Sequence, residues 1–351
     1  MEIGSEFWLD SVPREHSGNI PEWIDKFGNT VLTSCCRGAI SLLLDEIQPK
    51  ARTALLPGYT CDSVIQPFVA QGYDCHFYDV NMDLTPDPDS IAAYDNVGVF
   101  LHMGYFGFPT NIGLFSIVKQ FKAESTIVVE DITHALFSEL RRFAENDYYA
   151  ASLRKWVGIP SGGFLASENR PIKGVMQENE AFADTRREAL LMKARYIDDG
   201  DATLKPRYLE SFAKGEAYID NDPAPYYIDA LSKTIIGRLD VDQLKGRRRT
   251  NFMTLLEGLK DVENIQPVFA EVPYNICPLF FPVYIESDRD GIRQRLIDND
   301  IYCAVHWPIT EQVKRSRLAN MSRINNTILS IPCDQRYTEE DMERVLLLLK
   351  T

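Results

Sequence analysis

The sequence has no cysteine spacing typical of a disulfide-stabilised secreted domain or of a zinc site. Its 351 residues include seven cysteines, an odd number, and none of them forms a CxxC pair. Disulfide frameworks and zinc sites both use regularly spaced cysteines. The pattern therefore predicts reduced cysteines, a cytosolic location and no metal site.

Long apolar runs are also missing. No segment approaches the roughly 20 apolar residues that a helix needs to span a bilayer. The N-terminal segment "MEIGSEFWLDSVPREH" carries acidic residues and lacks the uninterrupted apolar core of a signal peptide. We expect a soluble, cytoplasmic protein with no membrane partner.

Positive charge is scarce relative to negative charge. The chain has 37 basic and 51 acidic side chains and a formal net charge of −14, which opposes association with phosphate backbones or anionic lipids. Two short basic clusters, Arg141 with Arg142 and Arg247 to Arg249, are flanked by acidic or apolar residues. Such clusters are typical of solvated helix faces. A nucleic-acid partner is not expected.

What the sequence has is enough apolar residues, 45% of the chain, for a large core. In "GNTVLTSCCRGAISLLLDEI" a predicted strand, Val31 to Ser34, meets a small-residue corner and then a helix from Ala39. A strand followed by a helix N-terminus is an anion-binding geometry. Later apolar strands, in "NVGVFLHMGYFGFP" and "STIVVEDITHALFS", alternate with helical segments. This alternation predicts a mostly parallel sheet that binds ligands beyond the carboxyl ends of its strands.

The second half of the chain has a different pattern. From about Glu178 to Leu255 it is helical and charged, and two strands, "CPLFFPVYI" and "IYCAVHWP", follow with a helix between them. The final segment "TEEDMERVLLLLK" predicts a capped helix. We therefore expect an N-terminal arm (1–27), a large cofactor-binding domain (28–245) and a small C-terminal α+β domain (246–351).

Two charged residues follow strands of the predicted sheet. Asp131 ends "IVVED", and Lys155 comes 24 residues later in "SLRKWVGIPSGG". A carboxylate beside a buried strand is costly unless a cation meets it. Pyridoxal phosphate meets this requirement, because it uses a lysine for its aldehyde, an aspartate for its ring nitrogen and oriented donors for its phosphate. The predicted phosphate donors are the corner residues Cys36, Arg37 and Gly38, with the hydroxyl of Ser152.

Each of these features also has a simpler explanation. A loop lysine is commonly a surface residue, an aspartate after a strand commonly caps a turn, and "GIPSGG" can be only a turn. His134, three residues after the aspartate, can be a structural histidine. The order and spacing of the features together favour the cofactor.

The chain also resembles the DegT/DnrJ/StrS family of pyridoxal-phosphate aminotransferases, from about residue 28 to the C-terminus. The resemblance lies in the phosphate corner, "LPGYT", "EDITHA", the lysine with its following "GG", and "GRRRTNF". It implies an α/β fold like that of fold-type I aspartate aminotransferase, with a mostly parallel central sheet in the large domain and a smaller C-terminal α+β domain. It also implies a homodimer.

The resemblance assigns roles to individual residues. Lys155 matches the lysine that forms the Schiff base, Asp131 matches the ring-nitrogen aspartate, and His134 matches a polar residue near the cofactor. Cys36 and Arg37 occupy the family's Gly-Thr phosphate positions.

The chain also departs from the family pattern. "YAASLRK" replaces "FSFHxxK", so Ala150 stands at the family's serine and Ser152 is a substitute. Cys61 stands where an aromatic usually stacks on the cofactor ring, and Tyr59 is an alternative cap. The family's cross-subunit "GYNYRM" segment appears only as "APYYID".

The implied reaction is transamination from an amino-acid donor, such as glutamate, to a keto substrate, and the resemblance implies a nucleotide-linked keto-sugar. Lys155 then acts as general base and acid. Tyr105 and His306 either contact substrate or pack at a domain junction. Two alternatives stay open: a pyridoxal-phosphate lyase or dehydratase on the same scaffold, and a cofactor-free scaffold or regulatory protein. The family's dehydratases replace the lysine by histidine, so Lys155 argues against that variant.

Overall fold

The computed structural model describes residues 2–13 and 19–350. Residues 1 and 14–18 of the predicted N-terminal arm lie outside the described residues.

Strands and helices alternate through the first half of the chain. The strands are β1 (Ile3–Gly4), β2 (Asn29–Thr33), β3 (Thr53–Pro57), β4 (Asp74–Tyr78), β5 (Val99–Met103), β6 (Ile127–Asp131), β7 (Tyr148–Ser152), β8 (Gly163–Ser167), β9 (Ile265–Pro267), β10 (Phe281–Ile285), β11 (Ile301–Tyr302) and β12 (Ile328–Ile331). The helices are α1 (Glu22–Asp25), α2 (Cys36–Glu46), α3 (Asp62–Ala70), α4 (Pro88–Ala92), α5 (Phe115–Ala123), α6 (Glu180–Asp199), α7 (Leu204–Asn221), α8 (Ala230–Gly237), α9 (Val241–Gly258), α10 (Arg289–Ile297), α11 (Glu311–Arg315), α12 (Met321–Thr327) and α13 (Glu339–Leu349), with a short 3-10 helix at Ile112–Leu114.

Within the described residues, seven strands form one large sheet in the order β2-β8-β7-β6-β5-β3-β4. Strands β4, β3, β5, β6 and β7 are parallel to their neighbours in this run, whereas β8 is antiparallel to both β7 and β2. The prediction of a mostly parallel sheet is confirmed. Because parallel strands all end on one side, the residues that follow β3, β5, β6 and β7 share one edge.

Every residue of the central strands β5, β6 and β7 is buried. Burial on both faces is expected where helices cover both sides of a parallel sheet, and it explains the continuous apolar runs in the sequence. Helix α2 contributes an almost entirely buried stretch, from Arg37 to Leu44. These elements form the rigid platform under the shared edge.

Strand β2 and helix α2 begin earlier than the sequence predicts. Strand β2 begins at Asn29 and α2 at Cys36, against predicted starts at Val31 and Ala39. The helix is longer because Cys35 acts as its N-cap, and its Sγ accepts the Gly38 N–H at 3.4 Å. The small-residue corner is thus the helix start itself.

The C-terminal part combines helices with a three-stranded antiparallel sheet in the order β12-β10-β9. The predicted cap of the last helix is confirmed, because the Thr338 N–H donates to Asp341 at 2.9 Å and the Asp341 N–H donates to the Thr338 hydroxyl at 3.4 Å. Of the predicted strand "IYCAVHWP", β11 covers Ile301–Tyr302, which pairs in parallel with β1 near the N-terminus. The N-terminal segment is thereby attached to the C-terminal part.

No helix in residues 2–13 and 19–350 is long and apolar enough to cross a membrane. The same residues bring together no group of three or more His, Cys, Asp or Glu side chains suited to a metal ion.

Candidate active site

A cavity of about 170 Å³ lies at the shared edge of the sheet, where the sequence analysis places the site. Seven of the predicted residues line it: Cys36, Arg37, Cys61, Asp131, His134, Ser152 and Lys155. They come from four separate segments of the chain, the start of α2, the start of α3, the end of β6 and the end of β7 with the turn after it. The fold therefore places in one cavity residues that the sequence pattern predicted to lie at one site.

Asp131 is the last residue of β6 and pairs in register with Met103 of β5 and Ala150 of β7. Its side chain is 3% exposed and accepts the Thr133 N–H at 2.8 Å. Burial raises the pKa of Asp131 to about 6, although the hydrogen bonds from Thr133 oppose the rise. No ion pair to this carboxylate occurs in the described part of the chain. An ionised Asp131 would be stabilised by a cationic ligand.

Lys155 lies in the turn that follows β7, and it is exposed to the cavity space. The turn is held in place by Trp156, whose indole N–H donates to the Thr133 carbonyl at 2.7 Å and whose ring is completely buried. Burial and the nearby Lys155 ammonium lower the pKa of His306 to about 3. The exposed Lys155 side chain thus lies on the cavity wall directly before a buried, hydrogen-bonded tryptophan.

The glycines of "GIPSGG" explain how this turn meets the start of α2. The Gly162 N–H donates to the Ser34 carbonyl at 2.6 Å. A Cβ at Gly163 would lie 2.5 Å from the Cys35 carbonyl carbon, so this position cannot hold a larger residue without moving the backbone. Close approach of the two segments places the helix start beside the Lys155 turn.

The start of α2 supplies donors to the cavity. The first N–H groups of a helix have no intrahelical acceptor and attract anions, and Cys36 and Arg37 are the first two residues of α2. Arg37 is largely buried and its Nη1 donates to the Ile219 carbonyl at 2.6 Å, whereas its Nε has no hydrogen-bond partner. Gly38 does not line the cavity, and its N–H is occupied by Cys35.

His134 and Ser152, which lie near Asp131, are each held by a hydrogen bond to a neighbouring segment. The Nδ1 of His134 accepts the Phe106 N–H at 3.2 Å, and burial lowers the pKa of His134 well below its ordinary value, so its ring is neutral. The Ser152 N–H donates to the Thr133 hydroxyl at 2.9 Å, and both residues line the cavity.

An aromatic residue that the sequence analysis did not select lines the cavity. The Trp307 ring lies 5.1 Å from the His134 ring at an interplanar angle of 36°. Tyr59 packs behind it, 5.0 Å away, and is not among the residues that line the cavity. Tyr105 is also behind this wall, where its hydroxyl donates to the Tyr59 carbonyl at 2.6 Å. The motif "VHWP" contained Trp307, but nothing local distinguishes it from His306.

A second, larger cavity of about 520 Å³ adjoins the first and shares Lys155, Arg154 and Glu216 with it. His306, a predicted substrate residue, lines this second cavity, and its Nδ1 lies 2.8 Å from the Ser330 hydroxyl. Residues from the N-terminal segment and from the C-terminal part complete the wall. We call this space the outer cavity.

Arg154 and Glu216 form an ion pair between the two cavities, at 2.5 and 3.3 Å. Burial tends to raise the pKa of Glu216, but Arg154 and Arg186 outweigh it and hold the value at about 2. Glu216 lies on α7, in the segment that the sequence describes only as helical and charged. No sequence signal marked it, because its partner is 62 residues away.

The residues present fit pyridoxal phosphate. The cavity combines an accessible amine, a buried carboxylate that no cation in residues 2–13 and 19–350 meets, and a helix start where those residues leave one guanidinium nitrogen without a partner. These are the three kinds of group that the cofactor uses.

Comparisons with known proteins agree with this architecture. No protein-family model matches the chain, and no curated protein sequence matches it. Among solved structures, PseC of Helicobacter pylori, an aminotransferase involved in the biosynthesis of pseudoaminic acid, is 13% identical with a TM-score of 0.70, over 99% of this chain and 98% of that chain.

Two further structures are similar to the same extent. A Streptococcus pneumoniae protein assigned as a sugar aminotransferase, solved in its PLP-form, is 14% identical with a TM-score of 0.70, over 100% of this chain and 98% of that chain. DesI, solved in the presence of its TDP-sugar product, is 14% identical with a TM-score of 0.67, over 100% of this chain and 94% of that chain. The chain therefore has the fold of the fold-type I, pyridoxal-phosphate-dependent aminotransferases, as the sequence resemblance predicts.

Proposed function

We propose that the protein is a pyridoxal-phosphate-dependent aminotransferase that moves an amino group from an amino acid, such as glutamate, to a keto-sugar. The observation that carries the proposal is the position of Asp131 and Lys155 on the wall of one cavity beside the start of α2. DesI, which has this fold, was solved with a TDP-sugar product. That similarity supports a nucleotide-linked keto-sugar as the amino acceptor.

The chain's own residues would perform distinct tasks. Bound here, pyridoxal phosphate supplies an aldehyde that couples to amines and a ring that accepts electrons from the donor's α-carbon. Asp131 would keep the cofactor's ring nitrogen protonated. The positive charge of that nitrogen, placed beside the carboxylate, would offset the cost of burying Asp131. The N–H groups of Cys36 and Arg37 bind the phosphate oxygens.

Lys155 would hold the cofactor and move a proton. Once the donor amine has displaced it, the Lys155 amine would take a proton from the donor's α-carbon as general base and would pass it, as general acid, to the carbon that the cofactor's aldehyde supplies. His134 stays neutral, because burial lowers its pKa, so it adds no charge beside the pyridinium. Trp307 and Cys61 line the same cavity and exclude water from it.

Cofactor trapping followed by an assay of amino transfer tests this proposal. Borohydride reduction of the purified protein should fix the cofactor on the Lys155 peptide, which mass spectrometry identifies. A separate, unreduced sample of the protein should form 2-oxoglutarate from glutamate in the presence of nucleotide-linked 3-keto or 4-keto sugars. A lyase would retain the trapped cofactor without forming 2-oxoglutarate, and a scaffold protein would trap none.

We also propose that the active unit is a homodimer. The "PAPYYID" segment packs beside the start of α2, where Pro225 lies 3.6 Å from the position of a Cβ on Gly38. Tyr227 is 42% exposed, whereas Tyr226 is buried against its own chain. An exposed aromatic beside the cofactor cavity suits a subunit interface. Sedimentation should give twice the 40.0 kDa chain mass, and an active, cofactor-loaded monomer would contradict the proposal.

We further propose a cytoplasmic location. All seven cysteines are free in the structure, which suits a reducing compartment. Cell fractionation with an antibody against the protein should recover it with cytoplasmic markers.

A further inference from the structure

The N-terminal segment, residues 2–9, supplies part of the wall of the outer cavity. Four consecutive residues of this segment line the cavity: Gly4, Ser5, Glu6 and Phe7. Lys155 lines the same cavity, although it lies far along the chain from this segment. The fold thus brings a carboxylate and an aromatic ring to the space beside the reactive amine, and the proposed function has not yet used them.

The backbone of this segment is held by the C-terminal part of the chain. Strand β1 pairs in parallel with β11. The Arg336 guanidinium donates to the Glu6 carbonyl at 2.9 Å and lies 4.0 Å from the centre of the Phe7 ring. These contacts fix the main chain at Glu6 without using its side-chain carboxylate, which is left for other partners.

The segment also packs against the turn that carries Lys155. Gly158 comes three residues after Lys155, and a Cβ at this position would overlap the Trp8 carbonyl oxygen. Only a glycine therefore lets the two backbones approach so closely. Since backbone contacts set the separation of the two segments, the position of Glu6 relative to the reactive lysine is fixed before any ligand binds.

The Glu6 side chain is only partly engaged by the protein. It is 43% exposed, and its Oε2 pairs with Arg186 at 3.3 Å, whereas no described residue donates to its Oε1. Burial tends to raise the pKa of Glu6, but the Arg186 guanidinium opposes this rise. Lys155 and Arg154 lower the pKa further, so it stays below its ordinary value. Glu6 is therefore ionised at neutral pH, and an ionised carboxylate only accepts hydrogen bonds.

The charge of the rest of the wall limits which donor can bind at Glu6. Six cationic side chains line the outer cavity: Arg154, Lys155, Arg186, Arg248, Arg293 and Arg336. Three acidic side chains line it: Glu6, Glu216 and Asp334. This excess of positive charge disfavours a cationic donor. A hydroxyl group is a neutral donor that the cations do not repel, so a ligand rich in hydroxyl groups suits this wall best.

We propose that Glu6 selects the amino acceptor by accepting hydrogen bonds from the sugar hydroxyl groups of that acceptor. The identity of the ligand as the amino acceptor rests on the proposed function. Phe7 on the same wall offers an apolar surface, and pockets commonly combine such surfaces with a few polar groups that fix the ligand's orientation. A polar group that is held in place discriminates strongly against a ligand that lacks the matching hydroxyl.

Separate kinetics for the donor and the acceptor test this role, because the two react with the cofactor in turn. With nucleotide-linked 3-keto or 4-keto sugars, Glu6→Gln should lower kcat/KM for the acceptor at least about tenfold, since it removes a charged hydrogen bond. The kcat/KM for glutamate, followed by the change in cofactor absorbance, should stay as in the wild type. Asp10→Asn is the matched control, because Asp10 follows the same segment and does not line the outer cavity.

Binding of unreactive sugar nucleotides to the purified protein gives a second measurement that does not depend on turnover. TDP-glucose and UDP-glucose are each compared by calorimetry with TDP and UDP alone. In the wild type and in Asp10→Asn, glucose should strengthen the binding of at least one nucleotide by about tenfold. In Glu6→Gln most of this gain should be lost, while the binding of the nucleotide alone should not change.

The outcomes separate this proposal from the proposed function. An unchanged kcat/KM for the acceptor in Glu6→Gln overturns the role of Glu6, and cofactor trapped on Lys155 then leaves the proposed function standing. An equal loss for glutamate and for the acceptor also overturns it, because Glu6 would then serve the donor as well. If no cofactor is trapped, the proposed function fails, whereas a gain from glucose that Glu6→Gln loses still supports a site for sugar hydroxyl groups.

Discussion

Two of the places where the structure buries ionisable groups surround those groups differently. Near the N-terminus, Lys193 is completely buried and pairs with Glu2 at 2.7 Å, while its Nζ also donates to the Glu6 carbonyl at 2.5 Å. Lys205 reaches the other oxygen of Glu2 at 3.1 Å. In the cofactor cavity, Asp131 is as deeply buried but meets no cation among the described residues.

This contrast distinguishes a structural charge from a functional one. The Glu2 and Lys193 charges satisfy each other, and together they attach the N-terminal segment to α6. Asp131 is left for a partner that the protein chain does not contain. A perturbed, uncompensated group in a cavity is the pattern expected of a functional site. The two lysines differ in the same way, since Lys193 is enclosed and Lys155 is accessible.

The strongest test of this contrast is to replace each lysine, Lys155 and Lys193, by alanine. Lys155→Ala should remove all borohydride-trapped cofactor, because no other lysine among the described residues lines the cavity beside Asp131. Lys193→Ala should leave trapping on the Lys155 peptide intact. Peptide mapping by mass spectrometry measures both. Cofactor trapped on Lys193 or Lys173 in the wild type would show that the site is assigned to the wrong lysine.

Replacing the unpaired carboxylate should reduce catalysis by at least about a hundredfold. Asp131→Asn keeps the hydrogen bond from Thr133 but no longer holds the proton on the ring nitrogen, so the ring accepts electrons poorly. Turnover of glutamate under saturating cofactor is the measurement. Asp147→Asn is the control, because Asp147 precedes β7 at the opposite edge of the sheet and pairs with Lys122. Near-normal turnover in Asp131→Asn would remove Asp131 from the mechanism.

Removing one partner of the ion pair between Glu2 and Lys193 should lower the free energy of unfolding and leave turnover unchanged. Lys193→Met leaves the Glu2 carboxylate buried with one partner fewer, which costs about 3–5 kcal/mol of unfolding free energy. Lys205→Met should cost less, because Lys205 is partly exposed and solvent can replace it. Urea unfolding measures both, and turnover per folded molecule should match the wild type. A Lys193→Met protein that is as stable as the wild type would contradict the structural role.

Replacing Asp131, the carboxylate without an ion pair among the described residues, should raise the free energy of unfolding, by less than Lys193→Met lowers it. The pKa of Asp131 in the folded chain, about 6, lies above its ordinary value of 3.8, so the folded state binds the proton more tightly than the unfolded state. Stability of the cofactor-free wild type should therefore fall as the pH rises through this window. Asp131→Asn cannot lose a proton and should be more stable at neutral pH, by up to about 3 kcal/mol.

Urea unfolding of the cofactor-free proteins at about pH 4 and about pH 7.5 measures this difference. The gain in unfolding free energy of Asp131→Asn over the wild type should be largest at the higher pH and nearly absent at the lower one. Asp147→Asn, whose carboxylate is already paired, should show no such gain. An Asp131→Asn protein that is less stable than the wild type at neutral pH would mean that the carboxylate is already compensated.

Local patterns were sufficient for much of the fold and for part of the site. Continuous apolar strands predicted the parallel sheet, and the positions of Asp131 and Lys155 after two such strands predicted their shared edge. The Thr338 cap followed from its sequence neighbours alone. These features depend on contacts between residues that are close in the chain or on the general geometry of parallel sheets.

Other features depended on segments that are far apart in the chain. Trp307, and not the predicted Tyr59, lines the cavity, because the C-terminal part packs over the sheet edge. Glu216 contacts Arg154 because helix α7 packs against the turn that carries Arg154. The sequence contains these residues but no local signal for their partners.

The order of strands and helices and the chemical types at their ends follow from local sequence patterns, since hydrophobic periodicity and helix capping are short-range. Which charges are neutralised depends on how the folded chain packs. Whether a buried carboxylate has a cation depends on the packing of distant segments, as the pairing of Glu2 with Lys193 shows. The same packing leaves Asp131 without an ion pair among the described residues.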